Sequence, residues 1–481
     1  MAFVIPKELM VSVSGVRGRV GEALTPEVVT RFASAFGAYL SDRSGGRRPR
    51  VVIARDSRTS GPMFVRAAAA ALQAVGCDVI DLGLAPTPTT LFAIRHHRAD
   101  GGIVVTASHN PVEWNALKLA GPDGMFLDAE EGPRMRAFLA DDAIRFAGWD
   151  GLGDVTADDR AIERHLEAVL GIPYVDVDAI RRRRFRVALD CIGGAGTALL
   201  PTLLRELGCD VVGLNLEPNG CFPRAPEPVA ENLGDLERLV RESGADLGLA
   251  TDPDADRLAI VSEQGRAIGE DYTLALAATL VLRHARGPVV TNLSTSRLLD
   301  DVATHAGVPI YRTPVGEINV ARRMQQVGAV VGGEGNGGVI LPDVHFTRDA
   351  AVATALVLQL LVESGVTIEG HVGQMRRYAM IKDHLPRTEG SLEPAFAALE
   401  SRLGAPDADR QDGLRLSWPA DGKWVHLRAS GTEPIIRIIS EAPTRPEAEA
   451  LAGQVREVLA DLRRGPADAV KAGGKGDDPS V

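Results

Sequence analysis

The chain has 481 residues, of which 45% are hydrophobic and 24% are charged, as is typical of a globular protein. At about 100 to 200 residues per domain, this length predicts three or four domains. The formal net charge of -11 argues against a nucleic-acid-binding protein, because phosphate contacts need a basic face. A local arginine cluster is still compatible with an anionic small substrate.

The sequence also carries information about location. No apolar run approaches the ~18 residues of a membrane span. The opening MAFVIPKELM reaches Lys7 and Glu8 too early for the apolar core of a signal peptide. We therefore expect a cytoplasmic protein that does not bind a membrane. The cysteines form no CxxC pair and are expected to be buried small residues in a reducing compartment; they are Cys77, Cys191, Cys209 and Cys221.

A unit of strand, loop, helix and strand occurs three times along the chain. RPRVVIARDSRTSG (48–61) predicts a strand with a polar end, PMFVRAAAAALQAVG predicts a helix, and CDVIDLG predicts the second strand. The same elements are predicted over 184–215 and over 287–316. Short apolar strands joined by helices are typical of parallel sheets covered by helices. We expect three related α/β domains with parallel or mixed sheets, and a buried helix at AVATALVLQLLVE (351–363).

The C-terminal part has a different pattern. Residues 413–464 predict strands, a turn and then an amphipathic helix, which indicates a smaller α+β domain. The last residues are rich in Gly, Pro, Asp and Lys and are predicted to be disordered. The predicted division is 1–150, 151–265, 266–375, 376–465 and a disordered tail at 466–481.

TASHNP (106–111) ends an apolar, strand-like run. Ser, Asn and Pro are common turn residues, so a plain turn is one interpretation. The other is that Ser108 is a nucleophile presented at the end of a buried strand. The motif by itself leaves both open.

ATDPDADRLAIV (250–261) places Asp252, Asp254 and Asp256 on one short loop between two apolar strands. Three carboxylates this close repel one another unless a cation neutralises them, and oxygen ligands suit Mg²⁺. A solvated acidic turn is the alternative. A calcium EF-hand is excluded, because its sixth position is Arg257 rather than Gly and a strand follows the loop. Arg257 is expected to pair with these carboxylates or to contact a substrate phosphate.

Three further loops combine glycines with polar side chains. RASGTEPIIRI (428–438) offers hydroxyls, backbone N–H groups and guanidinium groups for a phosphate, or is a polar surface hairpin. In VGGEGNGGVIL (331–341), Glu334 and Asn336 are positioned to hold sugar hydroxyls, unless the segment is a plain hairpin. Arg17, in SVSGVRGRVGEALTPE (12–27), precedes a helix predicted near Thr25 and is a phosphate contact or a surface turn residue.

Other common motifs are missing from the sequence. There is no GxxxxGK[ST] phosphate loop, no GxSxG sequence around Ser108 and no HExxH, and the histidines are scattered along the chain.

Taken together and in this order, TASHNP, DPDADR, GEGNGG and RASGTEP closely resemble the phosphoserine, magnesium, sugar-binding and phosphate-binding loops of the α-D-phosphohexomutase family. The resemblance extends from about residue 10 to residue 465. It implies three related α/β domains and a fourth, smaller domain around a central cleft. It also implies an enzyme that interconverts 6-phospho and 1-phospho hexoses, acting as a monomer or a homodimer.

The resemblance implies roles for individual residues. Ser108 would carry a phosphoryl group and, with the three aspartates, ligate Mg²⁺. It would donate that group to the sugar, giving a bisphosphorylated intermediate, and a sugar 1,6-bisphosphate would act as activator. Lys118 matches the proton-transfer lysine, while His109 and Arg17 match positions that support acid–base chemistry and contact the transferring phosphate. The residues implied to hold the non-reacting phosphate are Arg428, Ser430, Gly431, Thr432 and Arg437.

The sugar loop departs from many relatives, which have Ser, Gly and His where this chain has Asn336, Gly337 and Gly338. The identity of the hexose is therefore open, although the reaction class is not. The loops look most like the phosphoglucosamine mutase branch, which predicts conversion of glucosamine 6-phosphate to glucosamine 1-phosphate. A phosphomannomutase/phosphoglucomutase is the alternative. A Mg²⁺-dependent sugar phosphatase and a non-enzymatic sugar-phosphate sensor are more distant hypotheses.

Overall fold

The computed structural model describes residues 4–140, 143–387, 390–430 and 435–468, with side chains through Leu462. It divides into two compact units, one ending at Met375 and the other beginning at Arg376. The first unit contains three sheets and the second contains one.

The first sheet is mixed and has seven strands, in the order β1-β2-β6-β5-β3-β4-β7. Its strands are β1 (Met10–Ser12), β2 (Gly15–Arg19), β3 (Arg50–Arg55), β4 (Asp78–Leu84), β5 (Gly101–Val105), β6 (Trp114–Ala120) and β7 (Val155–Ala157). Its helices are α1 (Pro26–Arg43), α2 (Gly61–Ala74), α3 (Thr87–His96) and α4 (Glu131–Ala137). Strands β5, β3, β4 and β7 are parallel, whereas β1, β2 and β6 join antiparallel.

The second sheet has four strands in the order β11-β10-β8-β9. Its strands are β8 (Arg186–Asp190), β9 (Asp210–Leu214), β10 (Leu247–Thr251) and β11 (Leu258–Val261). Its helices are α5 (Ala161–Leu170), α6 (Val177–Arg183), α7 (Leu200–Glu206) and α8 (Gly234–Ser243), with short 3₁₀ helices at Ala195–Ala198 and Ala230–Asn232. The antiparallel pair β10–β11 brackets the acidic loop, as the sequence predicted.

The third sheet also has four strands, in the order β13-β12-β14-β15. Its strands are β12 (Val289–Asn292), β13 (Ile310–Thr313), β14 (Val331–Glu334) and β15 (Gly338–Ile340). Its helices are α9 (Glu270–His284), α10 (Leu298–Ala306), α11 (Glu317–Val327), α12 (Ala350–Ser364) and α13 (Ile368–Gln374). Helix α12 is the predicted buried apolar helix and packs against α9 in the largest hydrophobic core.

The three predicted strand–helix–strand units are confirmed. In each unit the two strands pair in parallel, as β3 with β4, β8 with β9 and β12 with β13. The helix of each unit ends at a glycine or at the residue next to one. Gly307 after α10, for example, has φ +66°, a conformation that glycine adopts without strain. The helix of the middle unit, α7, is shorter than α2 and α10. A 3₁₀ helix (Ala195–Ala198) precedes it, and Pro201 lies in its first turn.

The second unit is the predicted smaller α+β domain. Its antiparallel sheet has the order β16-β20-β19-β18-β17. The strands are β16 (Ala379–Pro386), β17 (Asp407–Asp409), β18 (Leu414–Trp418), β19 (Lys423–Ala429) and β20 (Ile435–Ala442), and the helices are α14 (Glu393–Leu403) and α15 (Arg445–Asp468). Helix α15 extends into the predicted tail, whose remaining residues, 469–481, lie outside the described part.

The four cysteines differ in burial. Cys77 and Cys191 are buried, but Cys221 is exposed and Cys209 is half-buried, so the prediction of four buried cysteines is wrong for Cys221. It sits in an irregular loop that no apolar pattern defines. Within the described ranges no single helix is long and apolar enough to span a membrane, and only the bent pair α12–α13 passes that test by length and composition.

Candidate active site

The end of β5 and the end of β10 bring the first two motifs together. Ser108 is the third residue after β5, and Asp252 follows β10 directly. The Ser108 hydroxyl donates to Asp252 Oδ2 over 2.8 Å, although the two residues are 144 positions apart. Ser108 is 4% exposed and has φ 48°, a left-handed conformation that non-glycine residues adopt rarely and mostly at functional loops. TASHNP is therefore a turn that holds the Ser108 hydroxyl against Asp252.

A buried arginine that the sequence analysis missed holds this loop. Arg58 is fully buried and makes an ion pair with Asp56, with Nε 3.0 Å from Oδ2. We call residues 106–114 the serine loop. The Arg58 guanidinium donates to backbone carbonyls of this loop, at Ser108 (2.6 Å), Asn110 (2.7 Å), Pro111 (2.6 Å) and Trp114 (3.0 Å). The sequence feature that could have identified Arg58 is the charged segment DSR (56–58), which directly follows an apolar strand.

The acidic loop is the electrostatic centre of the site. Asp252, Asp254 and Asp256 are fully buried, and their carboxylate oxygens lie within 4.8 Å of one another. Lys118 Nζ and the Thr87 hydroxyl both donate to Asp254 Oδ2 over 2.7 Å. Lys118 lies on β6, so three strands of two sheets converge here.

The pKa values of these carboxyl groups are split by their surroundings. Burial, with the charges of Asp256 and Asp254, holds the pKa of Asp252 well above its usual value. Burial also raises the pKa of Asp256. Burial acts in the same direction on Asp254, but the Lys118 ammonium and the hydrogen bonds it receives outweigh it and lower its pKa. Without another cation the loop therefore does not favour three charged carboxylates.

The donor set fits a hard divalent cation. Asp254 Oδ1 and Asp256 Oδ1 are buried and accept no hydrogen bond from the residues that the structure describes, although Arg257 Nε lies 3.7 Å from Asp256 Oδ1. Buried carboxylate oxygens that lack a donor are costly unless a cation approaches them. Oxygen-only ligands are those that Mg²⁺ prefers. The predicted magnesium loop thus has the chemistry that the ion requires.

A second missed arginine links the acidic loop to the sugar loop. Arg348 is 7% exposed, and its Nη2 pairs with Asp256 while its Nη1 donates to Glu334 Oε2 over 2.9 Å. Its Nε also lies 3.3 Å from Glu317 Oε2. Burial lowers the pKa of Arg348, but the three carboxylates outweigh this effect and hold it well above its usual value. Arg348 follows an irregular loop, so no periodicity identified it.

GEGNGG (333–338) forms the tip of the β14–β15 hairpin, so the segment is a hairpin, as one of the two interpretations had it. Glu334 is 4% exposed and accepts at Oε1 from Asn292 Nδ2 (2.7 Å) and from the Gly316 N–H (3.1 Å). Asn336 donates to Glu334 Oε2 over 3.4 Å. A sugar contact for either residue stays a prediction.

Gly337 joins this hairpin to the strand after the acidic loop. It has φ +88°, and a Cβ there would lie 2.5 Å from the Leu258 carbonyl oxygen. Gly337→Ala is expected to cost about 2 kcal/mol or more in the free energy of unfolding, from backbone strain plus the clash. Urea unfolding measures this cost. The control is Gly373→Ala in α13, where a Cβ meets nothing within 4 Å and the change is neutral or stabilising. Equal stabilities of Gly337→Ala and wild type would contradict the role assigned to Gly337.

The structure places the remaining predicted groups of the first unit around Ser108. His109 Nδ1 is 3.5 Å from the Ser108 hydroxyl, and the Arg257 charge followed by burial holds its pKa well below the usual value. Arg17 on β2 donates to Asn110 Oδ1. Arg257 donates to Glu227 Oε1 over 3.1 Å, and its Nε is 3.7 Å from Asp256 Oδ1.

The fourth motif lies in the second unit. Arg428 on β19 and Arg437 on β20 are directly opposite each other in the antiparallel register, so both side chains leave the same face. Arg428 Nε pairs with Asp412 Oδ2 over 2.8 Å, and the Ser430 N–H donates to the Ile435 carbonyl over 2.9 Å. Gly431 and Thr432 lie outside the described residues.

Four family models match consecutive parts of the chain. Their descriptions are phosphoglucomutase/phosphomannomutase α/β/α domains I, II and III, over 9–143, 163–265 and 269–378, and the C-terminal domain of the same family, over 387–458.

Individual relatives agree in kind. A phosphoglucomutase/phosphomannomutase of Thermococcus kodakarensis is 42% identical over 90% of this chain and 94% of its own length. A probable phosphoglucosamine mutase of Methanopyrus kandleri is 38% identical over 94% of this chain and 97% of its own. The crystal structure of a phosphoglucomutase/phosphomannomutase family protein from Burkholderia thailandensis superposes with a TM-score of 0.82 at 26% identity, over 95% of this chain and 99% of that one.

Proposed function

Because the chain belongs to the phosphoglucomutase/phosphomannomutase family and is a phosphohexomutase, we propose that Ser108 is the residue through which it moves a phosphoryl group between the 6- and 1-positions of a hexose. The observation that carries this proposal is the Ser108 hydroxyl, held 2.8 Å from Asp252 beside three buried carboxylates. The family makes the protein an isomerase, an intramolecular phosphotransferase.

In the proposed reaction the enzyme begins with a phosphoryl group on Ser108 Oγ. A sugar hydroxyl attacks the phosphorus, so that the new sugar O–P bond forms as the Oγ–P bond breaks, and the hydroxyl proton passes to a protein base. The resulting bisphosphorylated sugar turns over, and Ser108 Oγ attacks its other phosphorus. The new Oγ–P bond forms as that sugar O–P bond breaks, and the protein base returns the proton to the sugar oxygen that leaves. Such transfers depend on positioning and charge neutralisation more than on covalent chemistry by other groups.

Asp252, Asp254 and Asp256, together with the Ser108 phosphoryl group, would hold Mg²⁺. When bound, the ion neutralises charge that develops on the transferring phosphoryl group. Lys118, which pairs with Asp254 within the same cluster, is the proposed proton-transfer group. His109 is the proposed supporting acid–base group.

Arg17 and Arg257 are the proposed contacts to the reacting phosphate. For the non-reacting phosphate we propose the loop that the sequence indicated. It is supported by two guanidinium groups, those of Arg428 and Arg437, that leave one face of adjacent strands. The residues are Arg428, Ser430, Gly431, Thr432 and Arg437.

We propose glucosamine 6-phosphate as the preferred sugar, read by Glu334 and Asn336. Support comes from the sugar-loop sequence and from a relative named as a probable phosphoglucosamine mutase. A second candidate, phosphomannomutase/phosphoglucomutase activity, is favoured by the 42% identical relative that carries that name. A cytoplasmic location is proposed because phosphorylated hexoses do not cross a membrane unaided. We also propose that the protein is a monomer or a homodimer, and light scattering, which measures the molar mass in solution, tests this.

The test is a substrate panel of glucosamine, glucose and mannose 6-phosphates, with Mg²⁺ and the matching sugar 1,6-bisphosphate as activator. A kcat/KM preference of about tenfold for glucosamine 6-phosphate, or about 1.4 kcal/mol of discrimination, is the expected result. Equal or faster reaction of the glucose and mannose compounds would assign the second candidate. Release of inorganic phosphate without any need for the bisphosphate would instead indicate a phosphatase.

Magnesium is expected to stabilise the folded protein. At a Mg²⁺ concentration of about 100 times Kd, binding to the native state adds about 2.7 kcal/mol to the free energy of unfolding. Thermal unfolding of the chelator-treated protein, with and without Mg²⁺, measures this shift. K⁺ at matched ionic strength and Asp235→Asn, an exposed aspartate on α8, are the controls. An equal shift with K⁺, or a shift that survives in Asp252→Asn/Asp256→Asn, would place the ion elsewhere.

A further inference from the structure

Two histidines from distant parts of the sequence meet one aspartate in the core of the first unit. His165, His345 and Asp349 are at most 1% exposed. The Nε2 atoms of His165 and His345 lie 2.7 and 2.8 Å from the same oxygen, Asp349 Oδ2. We call these three residues the His–Asp–His cluster. No step of the proposed reaction uses it, and the sequence analysis found no paired-histidine pattern.

The three groups are close enough to hold a metal ion, but both Nε2 atoms and the Asp349 carboxylate have hydrogen-bond partners without one. Both imidazoles can donate Nε2–H to Asp349, while the Thr89 hydroxyl, 2.8 Å from His165 Nδ1, donates to that nitrogen. His345 Nδ1 has no partner among the residues described, which suits a bare lone pair. A metal on both Nε2 atoms would move a proton to that buried nitrogen and leave it without an acceptor. The geometry therefore favours a hydrogen-bonded cluster.

The other oxygen of Asp349 orders the backbone. Asp349 Oδ1 accepts from the Ala351 and Val352 N–H groups and so caps helix α12. The residues on either side contact the acidic loop. Arg348 pairs with Asp256, and the Ala350 N–H donates to the Ala255 carbonyl over 3.2 Å.

A second route runs through helix α3. Thr89, which contacts His165, is two residues from Thr87. Thr87 donates to Asp254 twice, from its hydroxyl to Oδ2 (2.7 Å) and from its N–H to the carbonyl oxygen (3.0 Å). The cluster thus stands behind two of the three aspartates. Its members come from segments matched by two family models, and Thr89, which contacts His165, comes from a third.

We propose that His165, Asp349 and His345 are positioning residues that fix the geometry of the acidic loop by joining the three α/β parts behind it. The expected change in Mg²⁺ affinity rests on the proposed Mg²⁺ site, whereas the expected change in the order of the acidic loop does not. Polar partners behind metal ligands commonly change affinity about 10- to 100-fold when they are removed.

The test compares His165→Leu, which removes both hydrogen bonds, with His165→Gln, whose amide N–H can replace the Nε2 donor. The matched control is His371→Leu, another buried histidine, whose Nε2 lies 2.9 Å from the Ser364 hydroxyl and which has no link to the acidic loop. Thr89→Val is a nearly isosteric change that removes the hydroxyl next to His165 Nδ1, and it provides the same test if His165→Leu does not fold. Hydrogen–deuterium exchange of the 250–261 peptide in the metal-free protein and the Mg²⁺ Kd by calorimetry are measured for each.

In His165→Leu we expect exchange of the 250–261 peptide to be about tenfold faster and the Mg²⁺ Kd to be about tenfold higher. Thr89→Val should shift both in the same direction, and His165→Gln should restore most of each. His371→Leu should lower the melting temperature without changing either quantity. Wild-type exchange in His165→Leu or Thr89→Val, or an equal change in His371→Leu, would overturn the proposal. The proposal would also be overturned if the wild-type protein bound one zinc ion per chain and His165→Leu lost it. Absence of Mg²⁺ binding by the wild type would contradict the proposed metal site, while the exchange result would still decide the inference.

Discussion

Ser108→Ala is expected to lower mutase turnover about 10⁴-fold or more, because no other hydroxyl of the serine loop takes its place beside Asp252. The variant should fold, since it loses one hydrogen bond, worth about 1 kcal/mol. Coupled-assay kcat and intact-protein mass after incubation with the sugar bisphosphate measure the effect. Wild type should gain the mass of one phosphoryl group and the variant should not.

The control for this experiment is Ser41→Ala in helix α1. The Ser41 hydroxyl donates to the Gly37 carbonyl over 2.9 Å, so this variant also loses one partly buried hydrogen bond. Ser41 lies far from the acidic loop in the sequence. Its turnover and its phosphorylation should match wild type. If Ser108→Ala still accepts a phosphoryl group and turns over, another residue carries the group.

Arg58→Met is expected to damage both folding and turnover. It leaves the buried Asp56 without its ion-pair partner, and breaking such a pair costs about 3 to 5 kcal/mol. It also leaves four carbonyls of the serine loop without their donor, so we expect kcat to fall about 100-fold in the protein that remains folded. Urea unfolding and kcat at a temperature below the transition measure the two effects.

Arg58→Met/Asp56→Asn separates the two effects. The double variant removes the unpaired charge, so it should regain much of the stability, yet it cannot restore the loop carbonyls and should stay slow. Arg66→Met, an exposed arginine of helix α2, should lie within about 0.5 kcal/mol of wild type and keep full turnover. Recovery of wild-type turnover in the double variant would show that Arg58 does not shape the serine loop.

Much of the fold was predictable from local patterns. Apolar strands such as Val51–Ala54 and helices such as α2 follow from hydrophobic periodicity, and parallel pairing follows from the crossover helix between two strands. The helix predicted near Thr25 begins at Pro26, with the Thr25 hydroxyl accepting from the Val28 N–H. Such signals lie within a few residues of the element that they specify. The 3₁₀ turn ahead of α7 was not predicted. The residue before it, Gly194, packs so closely against Pro253 of the acidic loop that a Cβ would lie 2.6 Å from the Pro253 carbonyl oxygen, and local spacing does not show such a contact.

The chemistry was predictable to a comparable degree. Ser108, the three aspartates and Glu334 were identified as candidates because they lie in short local patterns of nucleophile, carboxylate and glycine residues. Folding alone seldom requires such patterns. Their roles as site residues stay proposals, and so do the preferred sugar and the phosphate loop of the second unit. The contact of Ser108 with Asp252 could only be inferred from the resemblance, since strand order decides which loops meet.

By itself, then, the sequence determined the family, the sheet-and-helix plan and the candidate reactive side chains, because each follows from short-range spacing. Only the tertiary structure decided what supports them. Arg58 reaches carbonyls 50 residues away, Arg348 reaches an aspartate 92 residues away, and His165 reaches Asp349 across 184 residues. A charged or imidazole side chain has no periodic signature, and its burial is tolerable only when distant partners complete its hydrogen bonds. Those partners are chosen by how the sheets pack, which local spacing does not encode.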